Sequence, residues 1–173
     1  MLRKIGIIAV LSLIATALAA VPALAVAPTS VTQSGGLHVC QGTALDVTAT
    51  KDTTTDTAFL TATGEVCGAG QFATATLSAT AVTTVGCITP SGSNEPKGLQ
   101  EIEQQVVGSE TFETRAGRGT FDVDTNAVGV PSTFECPSAN MEETLVSVDF
   151  TDITLTITSN TGTITATFPD LDP

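Results

Sequence analysis

The sequence contains no tryptophan, no tyrosine and a single histidine, His38. Hydrolytic enzymes need a base within reach of a nucleophile, and the chain has no G-x-S-x-G, H-E-x-x-H or glycine-rich phosphate-binding motif. Sugar-binding sites usually present aromatic platforms, and here seven phenylalanines are the only large aromatic residues. The sequence therefore predicts a protein without catalytic activity.

Basic residues are also scarce, with six Lys and Arg against 18 Asp and Glu. Arg3 and Lys4 precede an apolar run that ends at Ala23-Leu24-Ala25, which is typical of a cleaved secretory signal peptide over residues 1–25. Its removal leaves four basic residues against 18 acidic ones and a net charge of −14. Such a surface repels nucleic acid and anionic lipid. We expect a secreted monomer whose partner is an extracellular protein or an envelope component, with no membrane contact after cleavage.

The C-terminal segment Thr144–Phe168 has the clearest pattern, because apolar residues alternate with threonine on both sides of Ser159–Gly162. A period of two predicts a β-hairpin, here with a four-residue loop ending in a left-handed Gly162. The pattern pairs Ile157 with Ile164, Leu155 with Ala166 and Ile153 with Phe168. The opposite face then holds facing threonines: Thr154 with Thr167, Thr156 with Thr165 and Thr158 with Thr163.

The same segment changes parity at Thr151-Asp152, because Val148 and Phe150 precede the change and Ile153 follows it. A single strand through this point would be longer than a compact domain of this size is wide. The prediction is therefore a bulge, or a corner where the chain passes from one sheet to the other.

An earlier hairpin is predicted from Thr43–Ala49 and Ala58–Ala62, which flank the polar turn Lys51–Asp56. Folding about the centre of the turn pairs Leu45 with Ala62, Val47 with Leu60 and Ala49 with Ala58. The same mirror places Cys40 opposite Cys67. Because Cys40 and Leu45 differ in parity, we expect a bulge at Gly42 or a break in the strand there.

Four cysteines remain after the signal peptide: Cys40, Cys67, Cys87 and Cys136. An even number in an exported chain predicts two disulfides, with three possible connectivities. No two of them have C-x₂₋₄-C spacing, which disfavours a zinc site. The hairpin mirror favours the pairs Cys40–Cys67 and Cys87–Cys136.

Three segments in the middle of the chain also have strand patterns. Gln71–Val85 alternates alanine and leucine with threonine and serine. Leu99–Val107 fits a strand or a helical turn, and a strand is favoured because no good helix cap precedes it. Phe112–Val123 predicts a hairpin that turns around Ala116–Gly119.

Together these segments predict an all-β fold of about seven to nine antiparallel strands, arranged as a two-sheet sandwich of immunoglobulin-like size. A single sheet closed on itself is the alternative. We expect a flexible leader over residues 26–36, one domain over residues 37–169 and an acidic tail over residues 170–173. The tail offers neither a hydrophobic anchor nor a basic stop.

The signal peptide, the glycine-rich hairpin Phe112–Val123, the pair Cys136-Pro137 and the run Val146–Thr151 resemble a loose class of small secreted bacterial β-proteins with two disulfides and no assigned activity. The similarity spans much of the chain and includes no sharp motif. It implies the fold expected above and implies no function.

A calcium-stabilised adhesion-type module is one functional alternative, because Asp122-Val-Asp124-Thr-Asn126 matches the D-x-D-x-N opening of a calcium loop. The match ends there, since Ala127 and Thr133 stand where the loop needs glycine and a bidentate glutamate. Alternating acids on the solvent-exposed face of a strand are the favoured explanation of the pattern. A looser calcium site that uses Asp149 or Asp152 is a further alternative, and we expect no other cofactor.

Two other candidates are binding surfaces. The facing threonines of the C-terminal hairpin resemble the regular threonine arrays of ice-binding proteins, which suggests an ice- or mineral-binding face, although sheet twist works against a flat lattice. The loop Phe134–Met141 holds Cys136 and could act as a rigid protease-inhibitor loop. Our main expectation is a non-enzymatic extracellular binding or cell-envelope-associated module, an inference from fold and compartment.

Overall fold

The computed structural model describes residues 24–89 and 96–173, and within these ranges the chain forms nine β-strands in two antiparallel sheets. This part of the chain confirms the all-β prediction, and it contains no helix that could cross a membrane. The predicted signal peptide falls almost entirely on residues outside it. The strands are β1 Ser30–Gly35, β2 His38–Val39, β3 Asp46–Asp52, β4 Thr57–Cys67, β5 Phe72–Ile88, β6 Lys97–Glu113, β7 Arg118–Asp124, β8 Glu142–Ser159 and β9 Gly162–Thr167.

The larger sheet has five strands in the order β1-β9-β8-β5-β6. Strand β5 lies between β8 and β6, and its alternate residues from Ala73 to Val85 are buried, as its period of two predicts. The ambiguous segment Leu99–Val107 is a strand, since it lies inside β6 and pairs with β5.

The smaller sheet is centred on β4. Strands β2 and β3 follow one another along one edge of β4, and β7 pairs with its other edge. Buried apolar residues from both sheets form one hydrophobic core, in which Leu60 of β4 and Leu77 and Leu155 of the larger sheet are fully buried.

Both disulfides form with the expected partners. Cys40 and Cys67 have Cα atoms 5.0 Å apart, and Cys87 and Cys136 have Cα atoms 5.8 Å apart. The first joins the end of β2 to the end of β4, and the second joins β5 to the loop before β8. In the loop-entropy model, bridges of these lengths stabilise the fold by about 3.5 to 4 kcal/mol each.

The register predicted for the β3–β4 hairpin is wrong by two residues. Val47 lies opposite Ala62, Ala49 opposite Leu60 and Lys51 opposite Ala58. The turn occupies residues 53–56, and its centre lies one position later than the centre of the predicted turn Lys51–Asp56. Asp56 closes it in a left-handed conformation with φ of 52°. The expected irregularity before β3 is present, since the chain leaves the sheet between β2 and β3 and Gly42 has φ of 83°.

The predicted hairpin Phe112–Val123 is wrong in its pairing. Strand β6 pairs with β5, whereas β7 pairs with β4 in the other sheet. Ala116 and Gly117 both have positive φ and close a tight turn at the Arg115–Arg118 bridge, beyond which the strands separate. Phe112 and Phe121 then meet across the core with ring centroids 5.6 Å apart, because their alternation points both of them inward.

The ends of the domain differ from the sequence expectation. Residues 30–35 of the expected leader form β1, which pairs with β9 over six positions. Val26 forms a bridge with Val47. In the expected acidic tail, Leu171 exchanges backbone hydrogen bonds with Phe150 at 2.8 and 3.0 Å. Both segments lack long apolar runs, yet backbone pairing at a sheet edge does not require them.

The C-terminal hairpin has the predicted register, with Ile157 opposite Ile164 and Leu155 opposite Ala166. Its loop is shorter than expected, because Ser159 already pairs with Gly162 and only Asn160 and Thr161 turn. Gly162 is not left-handed. A Cβ at this glycine would instead collide with the Ser34 carbonyl of β1, so the glycine permits the close approach of β1.

Strand β8 runs unbroken through the predicted parity change. Asp152 has φ of 54° and forms a bulge where the register with β5 shifts between Ser78 and Thr80. The bulge was predicted, but the alternative of a corner between sheets is wrong, because β5 is long enough to pair with β8 on both sides. A second shift near Val146 turns Leu145 inward and leaves Val146 exposed.

Two side chains of the β3–β4 hairpin hold this second bulge. The Asp56 Oδ2 atom accepts a hydrogen bond from the Leu145 N–H at 2.7 Å. The Lys51 Nζ atom donates to the carbonyls of Leu145 and Val146, each at 3.3 Å. Backbone groups that the bulge removes from the ladder are therefore satisfied from the other sheet.

Candidate functional site

The outer face of the five-stranded sheet carries three rows of hydroxyl side chains, with one residue from each strand in each row. The strand registers place the members of each row directly opposite one another. The rows are Ser30, Thr167, Thr154, Ser78 and Val107; Thr32, Thr165, Thr156, Thr76 and Ser109; and Ser34, Thr163, Thr158, Thr74 and Thr111. All but Val107 are serine or threonine, and we call this set the hydroxyl face.

The hydroxyl face exists because its residues alternate with buried apolar ones. Leu155 and Ile157 of β8, for example, are fully buried and lie on either side of Thr156. Successive rows are about 6.7 Å apart along each strand, and neighbours in a row are about 4.8 Å apart. Threonine is β-branched and stiff at χ1, so most of the face is ordered before any ligand arrives.

Hydrogen bonds between strands further fix the hydroxyl groups. Ser30 and Thr167 hydroxyls are 2.7 Å apart, those of Thr74 and Thr111 are 2.9 Å apart, and those of Thr76 and Ser109 are 3.1 Å apart. A hydroxyl has one donor and two acceptor positions. Each of these groups therefore keeps capacity for a further hydrogen bond to a ligand or to water.

The same outer face becomes acidic beyond the bulge at Asp152. Only β6, β5 and β8 continue there, and their outward residues include Glu101, Glu103 and Asp149. The full set is Gln105, Thr80 and Thr151; Glu103, Val82 and Asp149; and Glu101, Thr84 and Ser147, which we call the acidic end. None of the chain's acidic residues belongs to the hydroxyl face, although the two regions share three strands.

The turn between β3 and β4 contains a carboxyl group, that of Asp52, which accepts hydrogen bonds from the backbone of the same turn. The backbone N–H of Thr54 donates to Asp52 Oδ1 at 2.8 Å, and the Thr55 N–H donates at 3.4 Å. These bonds, led by that of Thr54, hold the pKa of Asp52 below its ordinary value. Ionised Asp52 therefore favours the turn that positions Lys51 and Asp56.

The calcium candidates Asp122 and Asp124 lie in β7, and Asn126 follows the end of that strand. Asp122 and Asp124 lie on the exposed side of β7. The Asp124 carboxylate accepts a hydrogen bond from the Thr61 hydroxyl at 2.5 Å, and the Asn126 Oδ1 accepts one from the Val107 N–H at 2.8 Å. Within residues 24–89 and 96–173, no group of three His, Cys, Asp or Glu residues is arranged to hold a metal ion. Asp149 and Asp152 are exposed, and in the sequence of β8 they flank Phe150 and Thr151.

The remaining sequence candidates lie elsewhere. His38 is in β2, and its Nδ1 atom is 3.0 Å from the carbonyl of Gly36. In the loop Phe134–Met141, Phe134 is buried and Cys136 is tied to Cys87, while Ser138 and Asn140 are exposed. The loop borders a shallow cavity of about 330 Å³ that Lys97, Gln100 and Met141 also line.

Sequence reasoning found two of the five strands of the hydroxyl face. The facing threonines of β8 and β9 have the predicted partners. The contribution of β1 was missed because residues 26–36 were interpreted as a leader, although Ser30, Thr32 and Ser34 already alternate. The rows of β5 and β6 were missed because alternation within a strand does not identify the neighbouring strand.

Comparison of the chain with protein-family models, with curated proteins and with solved structures gave no match.

Proposed function

We propose that the protein is an exported, non-enzymatic binding module, a two-sheet sandwich that contacts an extracellular or cell-envelope ligand through the hydroxyl face. The observation that carries the proposal is the common register of hydroxyl residues across five strands. Two disulfides support an oxidising compartment outside the cytosol.

The chemistry of the face restricts its ligand. It presents hydroxyl and methyl groups without a carboxylate or an ammonium group, so a charged polymer or a mineral surface finds no ionic partner there. Protein interfaces usually place aromatic and other large apolar residues at their centre. The three rows contain only Val107, at their margin, and the exposed Phe72 lies one row beyond them on β5, opposite Glu113. We infer an uncharged and extended ligand that carries its own hydroxyl groups, such as an insoluble polysaccharide of the envelope.

The test is co-sedimentation of the purified protein with microcrystalline cellulose, chitin and isolated cell-wall polysaccharide. Thr156 lies in the middle strand and the middle row, so Thr156→Lys is expected to lower the bound fraction at least tenfold. The matched control is Thr84→Lys, which makes the same change at the acidic end of the neighbouring strand and is expected to leave binding unchanged. Equal loss in both variants, or no binding by the wild type to any of the three solids, would refute this ligand class.

Ice is the second candidate, because the threonine pairs predicted for two strands extend in register over five. Regular hydroxyl and methyl groups can order water at the same spacing, whereas the usual twist of a sheet limits how much of the array acts together. The test is partition of the protein into slowly grown ice, together with thermal hysteresis. Thr156→Lys should abolish both and Thr84→Lys should preserve both; a wild type that is excluded from ice removes this candidate and leaves the polysaccharide proposal standing.

The non-enzymatic part of the proposal has its own test. His38 is the one imidazole of the chain, and its Nδ1 atom already contacts a backbone carbonyl. A panel of hydrolase substrates is expected to show no turnover. Turnover that His38→Ala abolishes would overturn this part of the proposal.

A further inference from the structure

Strand β1 is an outer strand of the larger sheet, and all six of its residues are exposed. Among the residues that the structure describes, β9 is its one strand partner. The Gly36 N–H donates to the Thr161 carbonyl at 2.8 Å in the register of this pair. Because hydrogen-bonded positions alternate in an antiparallel pair, the backbone N–H and C=O groups of Val31 and Gln33 point away from β9.

The edge of β1 lacks the features that keep natural strand edges from pairing. Those features are charged side chains, prolines, bulges and covering segments, and β1 has the uncharged sequence Ser-Val-Thr-Gln-Ser-Gly in unbroken register. The other outer strand, β6, carries Glu101 and Glu103 and a register shift. In the smaller sheet, the outer edge of β3 pairs with Val26, and the outer strand β7 carries Arg118, Asp122 and Asp124. In the described part of the chain, β1 is therefore the edge best suited to accept another strand.

We propose that β1 pairs in antiparallel fashion with β1 of a second copy of this chain, with Thr32 on the two-fold axis. The outer faces of the two copies lie on the same side of the joined sheet only if residues that point outward in β1 pair with residues that point outward in the second copy. With Thr32 opposite Thr32, Ser30 lies opposite Ser34, and Val31 and Gln33 exchange backbone hydrogen bonds. With the alternative axis at Gln33, Val31 would lie opposite Gly35, whose φ of 73° departs from the extended conformation. The axis at Thr32 uses only residues 30–34 of β1.

The second copy suits this edge by both chemistry and charge. All three hydroxyl rows continue across the axis, which gives a ten-stranded sheet, and facing Ser and Thr side chains stabilise antiparallel pairs. The chain has a formal net charge of −12, and β1 brings two copies together where neither carries a charge. A six-residue edge buries less area than a standard interface, so the dimer forms only at high protein concentration. This pairing does not depend on what the hydroxyl face binds.

The test uses the purified exported protein with Thr32→Cys. Across the axis the two Thr32 positions form a non-hydrogen-bonded pair with Cα atoms about 4.5 Å apart, a distance that a disulfide can bridge. A covalent dimer is expected after mild oxidation at high protein concentration. The matched control is Thr165→Cys, one strand further in on the same row, whose copies would be about 14 Å apart at the usual strand spacing and should not cross-link.

Two variants test whether the dimer uses this edge. Gln33→Pro removes an N–H that points toward the partner and keeps the β1–β9 hydrogen bonds, while Thr32→Lys places like charges opposite each other on the axis. Each is expected to abolish the concentration-dependent dimer in sedimentation equilibrium without lowering Tm, and Thr32→Lys decides alone if Gln33→Pro misfolds. Cross-linking of Thr32→Cys no greater than that of Thr165→Cys, or a dimer that survives Thr32→Lys, would overturn the proposal. So would a cross-link to a different protein without a homodimer when Thr32→Cys is oxidised in the culture medium before purification.

Discussion

The hydroxyl face and the acidic end lie on the same side of the same sheet, yet they are stabilised differently. The hydroxyl face spans five strands, and β8 pairs without interruption from Thr154 to Thr158. The acidic end has three strands, and its β8 segment contains a register shift near Val146. Lys51 and Asp56, from the β3–β4 hairpin of the other sheet, form hydrogen bonds with the backbone of Leu145 at this shift. Regular strand pairing thus coincides with the uncharged hydroxyl face, whereas the irregular pairing at the acidic end is stabilised by two side chains from outside the sheet.

This difference shows what alternation alone can build. On the inner side both regions present buried apolar residues, such as Leu155 and Val148, to the common core. On the outer side nothing in the packing requires fourteen hydroxyl residues, because charged residues are accepted on the same strands at the acidic end. The absence of charge from the hydroxyl face is therefore a property of that surface and not a requirement of the fold.

The largest expected effect comes from the inner side of the hydroxyl face. Leu155 is fully buried, so Leu155→Ala should lower the free energy of unfolding by about 2–5 kcal/mol through lost burial and the cavity left behind. Denaturant unfolding measures it. Thr156→Ala, on the next residue, is the control and should cost less than about 1 kcal/mol. A Thr156→Ala cost equal to that of Leu155→Ala would mean that the hydroxyl face is structural.

A smaller effect is expected from the support of the acidic end. Asp56→Ala leaves the Leu145 N–H without its carboxylate and should cost about 1.5–3 kcal/mol. Asp56→Asn keeps an oxygen acceptor and tolerates the left-handed conformation, so it should cost less.

Hydrogen exchange separates the two regions in the Asp56→Ala variant. Amides from Thr144 to Thr151 should exchange faster, whereas those from Thr154 to Thr158 should keep their protection. Uniform acceleration along β8 would show that the two regions open as one unit.

A pH effect should follow from Asp52. Its pKa is lowered in the folded state, so the stability that it contributes is present above its unfolded pKa and is lost as the pH falls through the folded pKa. The Tm difference between wild type and Asp52→Ala should therefore shrink as the pH is lowered below about 4. A difference that stays constant down to pH 2 would contradict the role of this carboxylate in the turn.

The smallest effect is expected at the one gap in the rows. Val107 is 55% exposed, so Val107→Thr should change the free energy of unfolding by less than about 0.5 kcal/mol. It completes the row that contains Ser78 and should increase the fraction bound to the solid that the wild type binds. A decrease in that fraction would show that the methyl groups of Val107 contact the ligand.

Much of the fold could be predicted because a period of two identifies faces directly. A register error of two residues preserves parity, so the wrong pairing of Val47 still placed the correct residues in the core. The disulfide Cys40–Cys67 was predicted correctly for a related reason. The predicted pairing about the centre of the turn differs by two residues from the register of β3 on β4, and by two in the opposite direction from that of β2 on β4. It therefore placed Cys40 opposite Cys67.

The rest could not be predicted, because it depends on backbone conformation and on the neighbouring strand. The local sequence does not require Asp56, Ala116 or Asp152 to have positive φ. Yet Asp56 lies at the turn that sets the β3–β4 register, Ala116 at the turn after which β7 joins the other sheet, and Asp152 at the bulge in β8. Alternation also cannot show that β7 leaves β6 for β4. For this reason the sequence identified only two of the five strands of the hydroxyl face, which exists only when all five are aligned in register.

The pairing of β1 with β9 has a consequence for the order of folding. Ser30 of β1 and Thr167 of β9 are 137 positions apart in the chain. The backbone of β1 can therefore pair with β9 only after the intervening strands have been synthesised. Contacts of such sequence separation close slowly. A partial chain that lacks β9 therefore cannot complete the larger sheet, and β1 stays without its strand partner until β9 has been synthesised.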